Sequence, residues 1–389
     1  MQEIPVVLIG HKDHGKSTLI GRLLLDTKSI KESRVKEIKE VDESDGKQFE
    51  LAHLVDSFYQ EREREMTIDT TRALLRGQKR NYQLIDVPGH AELIANMLTG
   101  AAGAEGALLV VDITEGIKPQ TIRHLEIAKL LGIEQLAVAV NKMDKIFYRE
   151  KKFEETTEKL REILNKIGYS PEDTYFFPVS AREGENVTKE SKRMTWYQGP
   201  TLMEFLENEI KDPVSFENLP LRFLVQDKYF EGQDEILVGR VESGILKTRQ
   251  EILFLPENKK VRIISIRDSE SELKEATAGQ NIGIALSENF NISRGALGSC
   301  LDSVPKVSDH LSGEIFWIDF PSRKDLACEC GTSQVKGELQ EPKEIKAGEK
   351  SFYRIKLEKP IAFDPQSKII LGKIVLKDQG KIIGVGNIK

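Results

Sequence analysis

The sequence predicts an α/β domain, with a mostly parallel sheet and helices on both faces, followed by two all-β domains. Three observations carry that expectation. Residues 1–211 alternate short apolar runs with stretches of helical periodicity. A polar, proline-punctuated segment, "KDPVSFENLP" (211–220), then interrupts the chain. Beyond it the texture changes to short strands separated by glycine turns. The 389 residues also exceed the size at which one hydrophobic core stops growing. The expected domains are 1–211, 212–305 and 306–389.

In the first domain "IPVVLI", "YQLIDV", "GALLVVDI" and "QLAVAVN" read as strands buried on both faces. Between them "GKSTLIGRLL", "HAELIANMLTGAA" and "PQTIRHLEIAKLLG" carry helical periodicity. The charged stretch 149–167 keeps Leu160, Ile163, Leu164 and Ile167 on one face, which predicts a surface helix. After the linker, "LRFLVQ", "EILVGRVESG", "EILFLP", "VRIISIR" and "GQNIGIAL" predict a β domain ending near Pro305. A second β domain runs from "GEIFWIDF" to "KIIGVGNIK".

Composition narrows the function classes. Hydrophobic residues make up 39% and charged residues 31%, as expected of a soluble globular protein. A net charge of −6 gives no general pull toward nucleic acid. No apolar run approaches the roughly 18 residues of a membrane helix, and cleavage of a leader would destroy the motif starting at Gly10. The expected compartment is the cytoplasm. Cys300, Cys328 and Cys330 form no disulfide framework, and two thiolates without nearby His make a poor zinc site, so they read as structural.

The chemistry is concentrated in ordered motifs. "GHKDHGKS" fits G-x-x-x-x-G-K-[ST], between a buried strand and a helix. Its residues Gly10, His11, Lys12, Asp13, His14, Gly15, Lys16 and Ser17, with Thr18 after them, form the expected phosphate loop. The glycines let backbone N–H groups close around phosphate oxygens beside the positive end of a helix. Lys16 would bridge the terminal phosphates, and the Ser17 hydroxyl would ligate Mg2+. "LIDVPGH" ends the next suitable strand: Asp86 is the second metal-orienting carboxylate, Gly89 admits the γ-phosphate and His90 could orient the attacking water.

"NKMD" (141–144) lies at the end of a third strand. Asn141 and Asp144 can present an amide and a carboxylate to a purine, while the Lys142 stem packs over its face. A carboxylate accepts from guanine N1 and N2, and adenine offers no such pair, so the expected ligand is GTP. "SAREG" supplies Ser180, Ala181 and Arg182, with the Ala181 backbone completing the base pocket. "EREREMTIDTT" supplies Thr67, whose contacts with Mg2+ and γ-phosphate would make residues 27–70 a switch; the same charged run also reads as a solvated helix end.

These motifs in this order, followed by two β domains, resemble the translational GTPases of the elongation factor Tu and elongation factor 1-alpha type. Several stretches look more like the large GTPase subunit of bacterial sulfate adenylyltransferase. They include "STLIGRLLLDTKSI" (17–30), "LAHLVDSFYQEREREMTID" (51–69), "PVSAREGENVTKESKRMTWYQGPTLMEFLE" (178–207), "NISRG", "EIFWID", "GTSQV" and "PIAFDP". The resemblance implies a GTP-binding domain, two β-barrels and GTP hydrolysis coupled to sulfate adenylylation on a partner chain. The partner would be an ATP-sulfurylase-like small subunit, since the sequence holds no second nucleotide motif.

The rival expectation is an elongation factor carrying aminoacyl-tRNA, and a third is a switch for another partner. Gln233 and Asp234 stand where the tRNA carriers have arginine and glycine, which disfavours tRNA. Two departures touch the hydrolytic site. Lys12 replaces a valine of the family loop, and Glu65 and Met66 replace the glycine and isoleucine of "R-G-I-T". The resemblance implies an apolar gate beside His90 that is altered here. One expectation is a Lys12–Glu65 ion pair closing over the γ-phosphate; the other leaves both side chains in solvent.

Overall fold

The computed structural model describes all residues except 1–2, 45–49, 56–70, 87–103, 212–215, 232–233, 269–270, 289 and 366–369. Two compact units divide the chain, Met1–Pro213 and Val214–Lys389.

The first unit is a six-stranded sheet of β1 (Glu3–Ile9), β2 (Thr71–Arg76), β3 (Asn81–Asp86), β4 (Gly106–Asp112), β5 (Gln135–Asn141) and β6 (Tyr175–Pro178). Its order is β2-β3-β1-β4-β5-β6. Every neighbouring pair is parallel except β2 with β3, so one antiparallel edge strand closes an otherwise parallel sheet. Its helices include α1 (Lys16–Asp26), α2 (Glu32–Ser44), α3 (Pro119–Leu130), α4 (Glu150–Ile167) and α5 (Leu202–Asn208).

All seven residues of β4 are buried, because helices cover both faces of the sheet centre. Leu8, Leu108 and Val110 share one core with Leu19, Leu23 and Leu54 from the α1 side and Leu202 and Leu206 from α5. The alternate strand residues Val7, Leu109, Val111 and Val138 are equally buried, on the opposite face. Each such side chain taken from water contributes about 1.5–3 kcal/mol. In α4, Phe153, Leu160 and Leu164 are buried and Ile163 and Ile167 half-buried, so one stripe faces inward and the charges face water. Gly168 ends that helix at φ 97°, donating its N–H to Leu164 and Asn165 carbonyls.

The second unit holds two antiparallel six-stranded barrels. In the first, the ring runs Glu251–Leu255, Leu297–Ser299, Arg222–Glu231, Asp234–Ser243, Asn281–Leu286 and Lys259–Arg267, closing on Glu251–Leu255. In the second it runs Lys306–Trp317, Lys350–Phe363, Ser333–Glu341, Asp325–Cys330, Lys373–Asp378 and Lys381–Asn387, closing on Lys306–Trp317. Closure gives each of these strands a neighbour on both sides.

The barrels meet through Leu224, Leu255 and Leu297 against Ala362 and Leu371. Beside them the nearly buried Arg222 guanidinium donates to both Asp364 oxygens, at 2.6 and 3.3 Å. Cys328 and Cys330, two apart on one strand, both enter the second barrel's core. Burial pushes each thiol up to about 12, so both stay protonated. Among the described residues, no helix is long and apolar enough to cross a membrane.

Candidate functional site

The strand register gathers the site at the carboxyl edge of the sheet. Leu8 pairs with Asp86, Ile9 with Leu109, and Asp112 with Asn141. The ends of β1, β3, β4 and β5 therefore lie side by side. The chain leaves β1 between β3 and β4, where the strand order reverses, and this crevice is where open α/β sheets bind ligands.

Residues 10–15 turn from β1 into α1 as a glycine-dependent loop. Gly10 sits at φ 143°, and a Cβ there would stand 2.4 Å from the Val110 carbonyl oxygen. Gly15 caps α1 at φ 94°, and its Cβ would lie 2.4 Å from Asn141 Nδ2. Lys16 spans the loop, donating from Nζ to the Gly10 and His11 carbonyls at 3.1 Å each. Burial holds its pKa below the ordinary lysine value, with Asp86 and Asp13 opposing that shift. Lys12 and Asp13 are exposed, His11 and Thr18 half-buried, and His14 fully buried.

Histidines line the loop from beneath. The Gly10 N–H donates to His124 Nδ1 at 3.2 Å, and His11 Nδ1 pairs with Gln120 Oε1. His14 Nδ1 reaches the Val110 carbonyl at 3.3 Å, and its Nε2 lies 3.9 Å from Glu115 Oε2. At the loop's other side the Ser17 hydroxyl donates to Asp86 Oδ2 at 3.2 Å.

The second half of the site follows β5. Asn141 is buried, with Nδ2 donating to the His14 carbonyl and Oδ1 accepting from the Ala181 N–H, both at 3.0 Å. These partners fix the orientation of its amide. Asn141 thus ties the phosphate loop to the 180–184 turn, through the His14 carbonyl on one side and the Ala181 backbone on the other. Ser180 Oγ donates to Asp144 Oδ1 at 2.6 Å; Asp144 Oδ2 has no hydrogen bond among the described residues. The Ala181 and Arg182 carbonyls are held by the Arg22 guanidinium, reaching over from α1. Lys142, at φ 64°, donates from Nζ to the Asp13 carbonyl at 2.6 Å.

Two family descriptions match this chain: Elongation factor Tu GTP binding domain over residues 2–212, and Elongation factor Tu domain 2 over residues 234–289. The chain belongs to the elongation factor Tu family of GTPases. Similar proteins include elongation factor 1-alpha of Methanosarcina mazei, 36% identical over 409 residues, which span 98% of this chain and 96% of that protein. Elongation factor 1-alpha of Archaeoglobus fulgidus is 34% identical over 99% of this chain and 97% of its own. That of Thermococcus onnurineus is 35% identical over 98% and 96%.

The residues present fit the family's ligand, GTP, and its usual ion, Mg2+. A side chain at Gly10 or Gly15 would fill the cradle, and the half-buried Lys16 ammonium spans it. The Ser17 hydroxyl and Asp86 carboxylate, already in contact, are the hard oxygen donors that magnesium takes. Gly89, His90, Thr67, Glu65, Met66 and Gln233 lie outside the described residues, as does the helix expected over "HAELIANMLTGAA". Sequence reasoning missed Asp112, His124, Gln120 and Arg22, which hold the site's own residues. One signal was available for Asp112: an acid closing an all-apolar strand, level with Asn141.

Proposed function

We propose that this chain is a GTP-hydrolysing switch of the elongation factor 1-alpha kind, carrying aminoacyl-tRNA in its GTP form and working in the cytoplasm. The observation that carries this reading is the span of the match. It runs through 98% of the chain, barrels included, to a protein named elongation factor 1-alpha, itself covered to 96%. The GTP domain alone would be common to many outputs.

In this reading the phosphate loop 10–17 and Lys16 hold the phosphates, and Asp144 accepts from guanine N1 and N2. Ser17, Asp86 and Thr67 would hold Mg2+. The ion, when bound, supplies positive charge against the β- and γ-phosphates. His90 orients the water that attacks the γ-phosphate, and Thr67 makes its contacts only while that phosphate is present. The alternative, GTPase subunit of sulfate adenylyltransferase, rests on the local stretches named above. The family matches and the relatives give it no further support.

Co-purification from the native host, read by mass spectrometry and by sequencing of bound RNA, separates the two. Recovery of tRNA supports the proposal. Recovery of an ATP-sulfurylase-like small subunit without tRNA overturns it in favour of the sulfate reading.

A further inference from the structure

The acid at the end of β4 belongs to no expected motif, yet it holds the residue on which the base would lie. Asp112 is 1% exposed. Its Oδ1 accepts from the Thr114 N–H at 2.8 Å and the Thr114 hydroxyl at 2.7 Å. Its Oδ2 lies 2.7 Å from Lys142 Nζ. The same ammonium donates to the Asp13 carbonyl in the phosphate loop.

We infer that Asp112 is a positioning residue for guanine-nucleotide binding: its carboxylate fixes the Lys142 side chain, and through it the Asp13 peptide of the phosphate loop. The inference rests on the proposed GTP site. A lysine stem ordinarily samples many rotamers, and ordering it at the moment of binding would cost affinity. A buried carboxylate with both oxygens engaged removes that freedom before the nucleotide arrives.

The electrostatics support the geometry. Burial alone would raise the Asp112 pKa. The hydrogen bonds from Lys142 and Thr114, and the charge of Lys142, instead hold it below the ordinary value, so the acid stays ionised. The backbone gives a second reason for an outside restraint. Asp13 at φ 63° and Lys142 at φ 64° both occupy the left-handed region without being glycine. One ammonium held by Asp112 sits on the side chain of one and the carbonyl of the other. Because these contacts concern the base and the loop, their loss should weaken GDP and GTP alike.

Asp112→Asn is the direct test, on the full chain. Asparagine keeps the shape and an acceptor for Thr114 but turns an N–H toward the Lys142 ammonium. The Kd of GDP and of GTP should each rise about tenfold, the scale of a lost charge-assisted contact, with hydrolysis at saturating GTP changed less than about twofold. In a Lys142→Met background the same substitution should add no further loss, because the partner it positions is gone. A purely structural role would cost the same in both backgrounds, and that additivity, or wild-type affinity in Asp112→Asn, overturns the inference. Should Asp112→Asn fail to fold, Thr114→Ala removes one donor that aims the carboxylate. It should show a smaller loss that also vanishes beside Lys142→Met; persistence there overturns the inference. A wild-type chain that binds no GDP would instead overturn the proposed GTP site itself.

Discussion

In the proposed site, the choice of base rests on the Asp144 carboxylate. Ser180 holds one carboxylate oxygen, and the paired N–H donors of guanine suit a carboxylate. Asp144→Asn should therefore weaken GTP binding by about 1–3 kcal/mol per unpaired group and favour xanthosine triphosphate, whose edge carries a carbonyl instead. Calorimetry with both nucleotides reads the exchange; unchanged GTP affinity would remove Asp144 from the base site. His14 makes a different prediction. Burial, the largest influence, lowers its pKa from the ordinary 6.5, and neighbouring His11 lowers it too; the Val110 carbonyl, Asp112 and Glu115 oppose them. Folded His14 thus resists a proton that the unfolded chain accepts. Its contribution is fully present above pH 6.5 and is lost as pH falls through the lowered folded value. The urea midpoint of the wild type should drop on acidification below 6.5 more steeply than that of His14→Asn; parallel profiles would contradict this. At this scale the sequence showed the motif residues and hid their holders. Ser17, Asp86, Asn141 and Asp144 announce themselves by spacing. His124 and Arg22 sit on ordinary helical positions, and only the fold brings them to Gly10 and Ala181.

Among the elements, α1 carries the loop and must be held still. Gly21 faces the stretch at 51–55, and a Cβ there would stand 2.2 Å from the Leu51 carbonyl oxygen. Gly21→Ala would gain about 1 kcal/mol of helix propensity, but overpacking against backbone costs about 1–3 kcal/mol. The obstacle is a main-chain atom, so the net effect should be destabilising. A lower urea midpoint with weaker GDP binding is the expected result, and a raised midpoint would show that 51–55 moves aside freely. The central strands were legible because burial on both faces demands unbroken apolar runs, as in "GALLVVD". The edge strand β2, "TRALLR", was not, since arginines at both ends break the apolar run, although its pairing with β3 is a local antiparallel hairpin. The helix α2, "ESRVKEIKEVDES", likewise hides because, among its described side chains, a thin stripe, Val35 and Ile38, reaches the core.

For the whole molecule, the proposed function rests on the barrels as well as on the first unit. Their six-stranded closure and the fork of Arg222 on Asp364 make the second unit one body, whichever cargo it meets. The sequence announced these domains by strand texture, yet its local stretches pointed to sulfate adenylylation while the full-length likeness favours an elongation factor. Short motifs report a subgroup less securely than a match that includes both barrels, because one nucleotide-binding fold serves many outputs. The most direct measurement is protection of the aminoacyl-tRNA ester from spontaneous hydrolysis by the intact chain, loaded with GTP or with GDP. Hydrolysis should slow with GTP, with none of that protection with GDP, if the γ-phosphate completes the proposed switch. An ester that decays equally in both, beside a chain that binds and hydrolyses GTP, would contradict it.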